Sequence, residues 1–215
     1  MVGGSVRDEL LGKLHEDFDF ATDATPDEIV KITKAWADNL WLIGAKFGTV
    51  NLTKDGFKIE ITTFRQEIYP EDTRHPKVSF ALRIESDLSR RDFTINAMAV
   101  KLPESTLIDP FGGKDDLRLK ILKTPLSAVQ SFLDDPLRML RAIRFVASLN
   151  LEVSLEIKKA ISKYHSALKI VSKERIRDEL SRILISPKPS EALRLVVETN
   201  LTEEVVPELT TLKVT

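Results

Sequence analysis

The sequence predicts an α+β protein in which a small mixed sheet with helices is followed by an all-helical segment. Runs of alternating apolar and polar residues, which are typical of strands, occur in the front half, whereas apolar residues spaced three to four apart, which are typical of helices, follow about residue 86. The length of 215 residues suits about one to two domains. We therefore expect one domain over residues 1–112 and a helical domain over residues 113–215.

The first fifty residues contain signals for helix and strand in turn. A short helix is expected over residues 6–12, and an alternating strand over residues 17–21. Thr25 followed by Pro26 is typical of a helix start, because the threonine hydroxyl accepts a hydrogen bond from the first turn and proline suits the first helical position. The apolar spacing extends this second helix to about residue 40.

A β-hairpin follows the second helix. Two alternating runs, 48–52 and 57–64, are joined through Asp55-Gly56, and an Asp-Gly pair between such runs favours a tight two-residue turn. A further strand is expected over residues 78–84. In the rear half the apolar spacing predicts four helices, over residues 137–149, 155–168, 173–184 and 190–199.

Composition excludes several classes of protein. The 32 basic and 33 acidic residues leave a net charge of −1, so affinity for nucleic acid is not expected from charge alone. The chain has no cysteine, which excludes disulfides and thiolate metal sites and fits a cytoplasmic protein. It has no apolar run near the roughly 20 residues of a membrane-spanning helix, so we expect no membrane association.

Two acidic residues on one strand indicate a metal site. Asp17 and Asp19 are two apart, so on a strand they project from the same face, with Phe18 and Phe20 turned to the core. Neighbouring carboxylates repel each other, and a divalent cation bound by oxygen ligands, Mg²⁺ or Mn²⁺, relieves the repulsion. Upstream, the Gly3-Gly4 turn before a helix suits a phosphate, and Arg7 lies one turn further on.

Five motifs follow one another along the chain. They are Gly3-Gly4-Ser5-Val6-Arg7-Asp8, Arg90-Arg91-Asp92-Phe93-Thr94-Ile95-Asn96, Ile108-Asp109-Pro110-Phe111-Gly112-Gly113, Asp134-Asp135-Pro136-Leu137-Arg138 and Glu174-Arg175-Ile176. With the Asp-x-Asp pair they resemble the class II tRNA nucleotidyltransferases (CCA-adding enzymes) and bacterial poly(A) polymerases, within the superfamily built on a polymerase-beta-like palm. The resemblance implies such a catalytic head followed by a helical neck. It covers essentially the whole chain, although the family has Glu where Asp134 stands.

The resemblance also implies roles for residues in the head. Asp17 and Asp19 would bind the metal, with a third acid on a neighbouring strand, for which Glu60 is the best candidate. Glu60 could equally be an outward-facing polar residue on an alternating strand. Gly4, Arg7 and Arg91 would contact the incoming nucleotide, although Arg90-Arg91-Asp92 could also be a surface ion-pair cluster.

Asp135 and Arg138 indicate base recognition in the neck. Three apart on a predicted helix, they share a face, where a carboxylate accepts from an exocyclic amino group and a guanidinium donates to an acceptor on the base. Such a pair accepts cytosine and adenine and rejects uracil and guanine, because the wrong bases leave polar groups unpaired. Arg141 and Arg144 continue this stripe, and the resemblance implies nucleotide contacts for them as well. The alternative is an ordinary salt bridge on a solvated helix.

The function expected from this resemblance is template-independent transfer from CTP and ATP to the 3′ end of tRNA. CC-adding, A-adding and poly(A)-adding enzymes remain alternatives within the same chemistry. We also expect that the further helical domains of the family, which grip tRNA, are absent, so a nucleotide-binding module with little turnover is a third alternative. Residues 69–76 correspond to the family loop that helps the switch from C to A addition.

Overall fold

The structure is a computed structural model that describes residues 1–14, 17–68, 77–80 and 83–208. It divides into two compact units, Met1–Lys114 and Asp115–Thr215. The expected loop over residues 69–76 lies outside the described residues, as do residues 81 and 82 of the strand expected over 78–84. The domain boundary expected after residue 112 stays a prediction, because compactness alone does not assign a function to either unit.

The first unit mixes short helices with paired strands. Its helices are α1 (Gly4–Leu10), α2 (Pro26–Thr33) and α3 (Ile84–Ser89), and α4 (Gly113–Leu119) begins at its end. Its strands are β1 (Asp17–Thr22), β2 (Asn39–Trp41), β3 (Thr49–Lys54), β4 (Phe57–Thr63), β5 (Arg65–Ile68), β6 (Lys77–Phe80), β7 (Ala99–Lys101) and β8 (Thr106–Ile108). Val2 joins β7 through a single bridge to Ala99.

The central sheet has four strands in the order β1-β4-β3-β2. β1 runs parallel to β4, and the other two pairings are antiparallel. The predicted hairpin is confirmed: Asp55 and Gly56 have φ of 49° and 84°, the two positive angles that let a tight turn follow the twist of its strands. Phe18 and Phe20, expected in the core, are half-buried and stack on each other with ring centroids 6.5 Å apart.

The second helix is shorter than predicted. It ends at Thr33 rather than near residue 40, and the N–H groups of Trp36 and Ala37 turn back onto the Thr33 carbonyl at 2.9 and 2.8 Å. Beyond them the backbone is bonded within the sheet and not within a helix. β2 pairs with β3, and the backbone N–H of Asp55 donates to the Asp38 carboxylate at 2.7 Å. Tertiary pairing therefore overrides a helical pattern that continued through this segment.

The second unit is built mainly from helices. They are α5 (Ala128–Asp134), α6 (Leu137–Leu149), α7 (Leu155–Tyr164), α8 (Lys173–Leu184), α9 (Pro189–Glu198) and α10 (Thr202–Val205), with a 3₁₀ segment at His165–Ile170. The prediction of α6 and α8 is confirmed residue for residue. Fully buried side chains line the inner faces of these helices: Phe132, Leu140, Ile143, Ile157 and Ile161. Among the described residues no helix is both long and apolar enough to cross a membrane.

The helical pattern expected after about residue 86 is interrupted by short strands. Strands β7 and β8 pair with each other, and Ile121–Leu122 (β9) pairs in parallel with Glu152–Val153 (β10). These strands have only two or three residues each, too few for an alternating pattern to be recognised in the sequence. Ile84, expected at the end of a strand, instead begins α3.

Gly113 fixes the segment that closes the first unit. A Cβ added there would collide with the carbonyl oxygen of Thr94 and approach the Met98 side chain. The Asp109 carboxylate accepts from the backbone N–H groups of Gly113 and Lys114 at 2.7 and 2.9 Å, which holds the start of α4 in place. The Asp-Pro-Phe-Gly-Gly motif therefore docks a helix start against the backbone of residue 94.

We expect Gly113→Ala to lower the free energy of unfolding by about 1–3 kcal/mol, because the new methyl group meets backbone atoms that have no rotamer with which to move aside. Urea titration followed by circular dichroism measures the loss. Lys114→Ala, an exposed neighbour in the same turn, is the matched control and should change stability by about 0.5 kcal/mol or less. Equal midpoints for the two variants would contradict this account of Gly113.

Candidate active site

Three carboxylates lie on one face of the central sheet. Asp17 and Asp19 are two apart on β1, and Asp19 is the direct partner of Glu60 on β4. Because paired residues of neighbouring strands project from the same face, the sheet brings Asp17, Asp19 and Glu60 together. Asp17 Oδ1 lies 3.6 Å from Lys58 Nζ, but both side chains are about three-quarters exposed (73% and 75%), so this ion pair is weak and leaves the carboxylate accessible.

An open cavity of about 370 Å³ lies over this face. The three carboxylates line one part of it, and Trp41 and Asn51 line another. The donor set is made of carboxylate oxygens, which are the ligands that Mg²⁺ and Mn²⁺ prefer and which soft metals do not select. The residues present therefore fit a hard divalent cation. Nothing in the sequence pattern alone had singled out Trp41 or Asn51; only the pairing of strands places them here.

Ser5 ties both aspartates to the first helix. Its hydroxyl accepts from the backbone N–H of Asp19 at 2.9 Å and donates to the backbone carbonyl of Asp17 at 3.3 Å. The N–H of Val2 donates to the Asp19 carbonyl at 2.8 Å along the outer edge of β1. The start of the chain is thereby held beside the carboxylates of β1.

Gly3 forms the corner between this edge and α1. Its φ of 67° lies in the left-handed region, where residues with a Cβ are strained, and its N–H donates to the Met98 carbonyl at 3.1 Å. A Cβ on Gly3 would also collide with Nη1 of Arg91. The positive φ therefore favours glycine, and the second contact places the Arg91 guanidinium directly against the corner.

Arg91 is held in position by Asp87. The Asp87 side chain is 1% exposed, and its two oxygens accept from Arg90 (2.7 and 3.1 Å) and from Arg91 (3.0 and 3.3 Å). Burial alone would raise the pKa of Asp87, but the two guanidinium groups outweigh it and the pKa lies below its ordinary value. The sequence interpretation missed this residue; its signal is an acid three and four positions before two arginines on a helix.

A second chain of hydrogen bonds joins the first two motifs. The buried Asp92 carboxylate accepts from the Asn96 amide at 2.9 Å, and the Asn96 carbonyl oxygen accepts from Arg7 Nη1 at 2.6 Å. Arg7 also donates to both oxygens of Asp8, at 2.9 and 2.7 Å. Its side chain, 13% exposed, lies beneath Gly4, whose Cβ would be 3.5 Å from Arg7 Nη2. Arg7 is thus fixed by protein groups beside the first turn of α1.

The prediction that Asp135 and Arg138 share a helical face is wrong. Asp135 has φ −140° and ψ 97° and lies in the break between α5 and α6, where Pro136 precedes the new helix. A residue before proline is disfavoured in the helical region because the ring clashes with it. Asp135 Oδ2 instead lies 3.4 Å from Arg175 Nη2 across to α8, and Arg138 donates to the Ser131 hydroxyl at 2.8 Å.

Arg141 and Arg144 follow Arg138 along α6, as the stripe predicted. Arg144 donates to the buried Glu179 carboxylate at 2.7 Å, and its guanidinium carbon lies 4.5 Å from the centre of the Phe145 ring. The Arg141 guanidinium carbon lies 5.9 Å from the same ring. Burial lowers the pKa of Arg144 below its ordinary value despite Glu179, yet a guanidinium stays charged at neutral pH.

One histidine has carboxylate neighbours. His165, in the second unit, lies with Nδ1 3.7 Å from Glu204 Oε1, and the ligand atoms of His165, Glu203 and Glu204 fall within 4.8 Å of one another. His15 and His75 lie outside the described residues, so only this group can be assessed, and Lys169 also reaches Glu204 at 3.5 Å.

Comparison with known proteins bears on both halves of the chain. Residues 1–123 match the family described as the Poly A polymerase head domain, and residues 150–213 match the family described as the probable RNA and SrmB-binding site of polymerase A. A CCA-adding enzyme of Geobacillus thermodenitrificans (strain NG80-2) is 42% identical over 201 residues, which are 93% of this chain and 48% of that enzyme. The chain spans about half the length of the curated relatives it matches.

Solved structures agree with these matches. The crystal structure of a Bacillus stearothermophilus CCA-adding enzyme in complex with CTP superposes with a TM-score of 0.86 at 36% identity, covering 99% of this chain and 51% of that one. A tRNA nucleotidyltransferase complexed with a primer tRNA and an incoming ATP analog gives 0.79 at 34% identity, covering 95% and 58%. The predicted fold class, a polymerase-beta-like head followed by a helical region, is confirmed. The chain belongs to the poly A polymerase head domain family, and the curated relatives that it resembles are CCA-adding enzymes.

Proposed function

We propose that this chain carries out the nucleotidyl transfer of a CCA-adding enzyme, moving nucleotides from CTP and ATP to the 3′ end of tRNA with release of pyrophosphate. The observation that carries the proposal is the set of three carboxylates, Asp17, Asp19 and Glu60, on one sheet face beside the Gly3 corner and Arg91. The CTP complex and the tRNA complex of its structural relatives support the choice of substrates. A tRNA-processing role also supports a cytoplasmic location.

The metal-binding role belongs to the carboxylates of β1 and β4. Asp17 and Asp19 would hold Mg²⁺, with Mn²⁺ as a substitute and Glu60 as the third ligand, and the bound ion would supply activation of the RNA 3′-hydroxyl and neutralisation of the leaving pyrophosphate. Ser5 keeps the backbone of both aspartates fixed, so the carboxylates need little reorganisation to bind. All three acids act as ligands, so none is left to form a covalent enzyme intermediate.

The phosphates of the incoming nucleotide are assigned to the glycine corner. The first N–H groups of α1, including that of Gly4, have no partner within the helix and point outward from its start. Arg91, held by Asp87 against Gly3, presents a fixed guanidinium to a phosphate or ribose oxygen. Arg7, whose orientation Asp8 and Asn96 fix below Gly4, would contact the same nucleotide.

Base selection is assigned to the second unit. Asp135 would accept from the amino group that cytosine and adenine share, and Arg138 would donate to the neighbouring ring acceptor. Arg141 and Arg144 would support the nucleotide from the same face of α6, and Glu179 holds Arg144 in place. Although Asp135 is not on the helix, its extended backbone before Pro136 leaves the carboxylate at the start of α6, close in sequence to Arg138.

Product length tests the proposal against its alternatives. Offered a tRNA ending at the discriminator base, the chain should add two nucleotides with CTP alone and three with CTP and ATP together. Runs of adenylate from ATP alone would indicate poly(A) addition, a class that the family description keeps open. Because the chain spans half of its relatives, CTP binding is measured separately: binding with no incorporation would identify a nucleotide-binding module and contradict the proposal.

We expect Asp17→Asn to abolish transfer, because the amide keeps the shape of the side chain but removes the charge that a divalent cation requires. Incorporation of labelled CMP measures the loss, and thermal unfolding checks the fold. Asp55→Asn, an exposed aspartate on the β3–β4 turn whose positive φ asparagine also adopts, should retain full activity. An active Asp17→Asn chain would refute the metal assignment.

Asp135→Ala should relax base choice more than it slows transfer, since it removes the acceptor for the amino group of cytosine or adenine. The measurement is the ratio of kcat/KM for CTP to that for UTP, which we expect to fall by about 10- to 100-fold. Arg175→Gln removes the ion-pair partner of Asp135 but keeps the carboxylate, so it should preserve the ratio. An unchanged ratio in Asp135→Ala would count against protein-templated selection.

The Asp87→Asn variant tests how Arg91 is positioned. It should raise KM for CTP, because a neutral amide no longer holds two guanidinium groups.

The same variant should show a smaller loss of stability at acid pH than the unchanged chain. The pKa of Asp87 is lower in the folded chain than its value of about 3.9 in the unfolded chain, so the ionised carboxylate stabilises the fold above that pH. That stabilisation is lost as pH falls through the folded pKa, and an asparagine has none to lose. Urea midpoints between pH 7 and pH 3 measure it, and parallel curves for both chains would contradict it.

A further inference from the structure

A single row of side chains crosses the central sheet from edge to edge. Asp19 pairs with Glu60, Glu60 with Asn51, and Asn51 with Trp41, so all four project from the face that bears the carboxylates. Neighbouring strands lie about 4.8 Å apart, so the row is about 14 Å long. All four residues line the same cavity. The cavity therefore has an acidic end at β1 and β4 and an aromatic end at β2.

Trp41 is suited to stacking on a base. It is 44% exposed although it is a large aromatic side chain, and it lies on the edge strand β2. Proteins that bind single-stranded nucleic acid use exposed aromatic rings as platforms for bases of any sequence. A tryptophan at the open end of a cavity whose other end holds catalytic acids is placed to receive the base of a nucleotide that reacts there.

Asn51 adds polar groups between the ring and the acids. Its side chain is half-buried and makes no hydrogen bond to other residues that the structure describes. A carboxamide donates and accepts at once, which matches a ribose hydroxyl or a base edge. Asn51 lines the cavity, so its amide is free to exchange water for a hydroxyl or a base edge of a molecule that enters there.

The geometry of attack at phosphorus indicates which of the two reacting nucleotides would lie at Trp41 and Asn51. In phosphoryl transfer the attacking oxygen and the leaving group lie on opposite sides of the phosphorus atom. The glycine corner with Arg91, to which the triphosphate is assigned, adjoins β1 at one edge of the sheet through Val2. Trp41 lies on β2 at the opposite edge. An attacking hydroxyl that enters opposite the triphosphate therefore enters from the Trp41 side.

We propose that Trp41 and Asn51 form the subsite for the 3′-terminal nucleoside of the acceptor RNA, with its base stacked on Trp41 and its ribose turned past Asn51 towards the carboxylates. This inference rests on the proposed function, because it takes nucleotidyl transfer as the reaction. The subsite is sequence-tolerant, since stacking does not distinguish one base from another. It therefore suits an acceptor end that differs between tRNAs and changes as each nucleotide is added.

Fluorescence of Trp41 tests the subsite without any turnover. The chain has two tryptophans, so Trp36→Phe leaves Trp41 as its only tryptophan. Titration of this variant with an oligoribonucleotide ending in CC at its 3′ end should quench the emission, whereas titration with CTP should leave it nearly unchanged. The matched control is Trp41→Phe, which keeps only Trp36 and should respond to neither. RNA binding without quenching, detected by fluorescence anisotropy of labelled RNA, would overturn the proposal, as would no binding.

Measurements of RNA affinity and of nucleotide incorporation test the proposed subsite and the proposed transferase activity separately. Trp41→Ala should weaken the Kd for the oligoribonucleotide about 5- to 150-fold, leave KM for CTP unchanged, and be partly rescued by Trp41→Phe. Quenching by RNA in a chain that incorporates no nucleotide would sustain the subsite and refute the transferase. Incorporation together with an unchanged Kd in Trp41→Ala would sustain the transferase and refute the subsite.

Discussion

The left-handed corner at Gly3 is the constraint on which the rest of the head depends. Its N–H bonds to Met98, its neighbour Val2 bonds to Asp19, and the Arg91 guanidinium fills the space where a side chain would be. Through these three contacts the Gly3 corner joins the strand that bears Asp17 and Asp19, the first helix and the Arg-Arg-Asp motif. A larger residue at this position would strain the corner and displace the Arg91 guanidinium.

Two buried aspartates position the arginines beside the Gly3 corner. Asp87 lies almost fully out of water and is kept ionised by two arginines, each of which is still partly exposed. The aspartate therefore acts as an anchor that fixes the direction of both guanidinium groups. Asp92, Asn96 and Arg7 repeat the arrangement on the other side of the corner. In both chains of contacts the buried member is an acid and the more exposed member is an arginine.

The sequence was most informative where a local rule decides the structure. The Asp55-Gly56 turn and the apolar spacing of α6 depend on nearest neighbours, and both were predicted correctly. It was least informative where distant residues decide: α2 stops at Thr33 because β2 pairs with β3, and Asp135 leaves the helix because of Pro136. The proline signal was present in the sequence and was outweighed by the spacing of Asp135 and Arg138.

The tight turn between β3 and β4 has a consequence for how the head tolerates changes in length. The length of that turn sets the register in which β4 pairs with β3, and β1 in turn pairs with β4. Glu60 therefore lies opposite Asp19 only while the number of residues in the turn is unchanged. An insertion or deletion of one residue would rotate every side chain of β4 to the opposite side of the sheet and put Ile59 or Ile61 where Glu60 belongs. Natural or engineered loop variation in this head should therefore be confined to segments outside the hairpin.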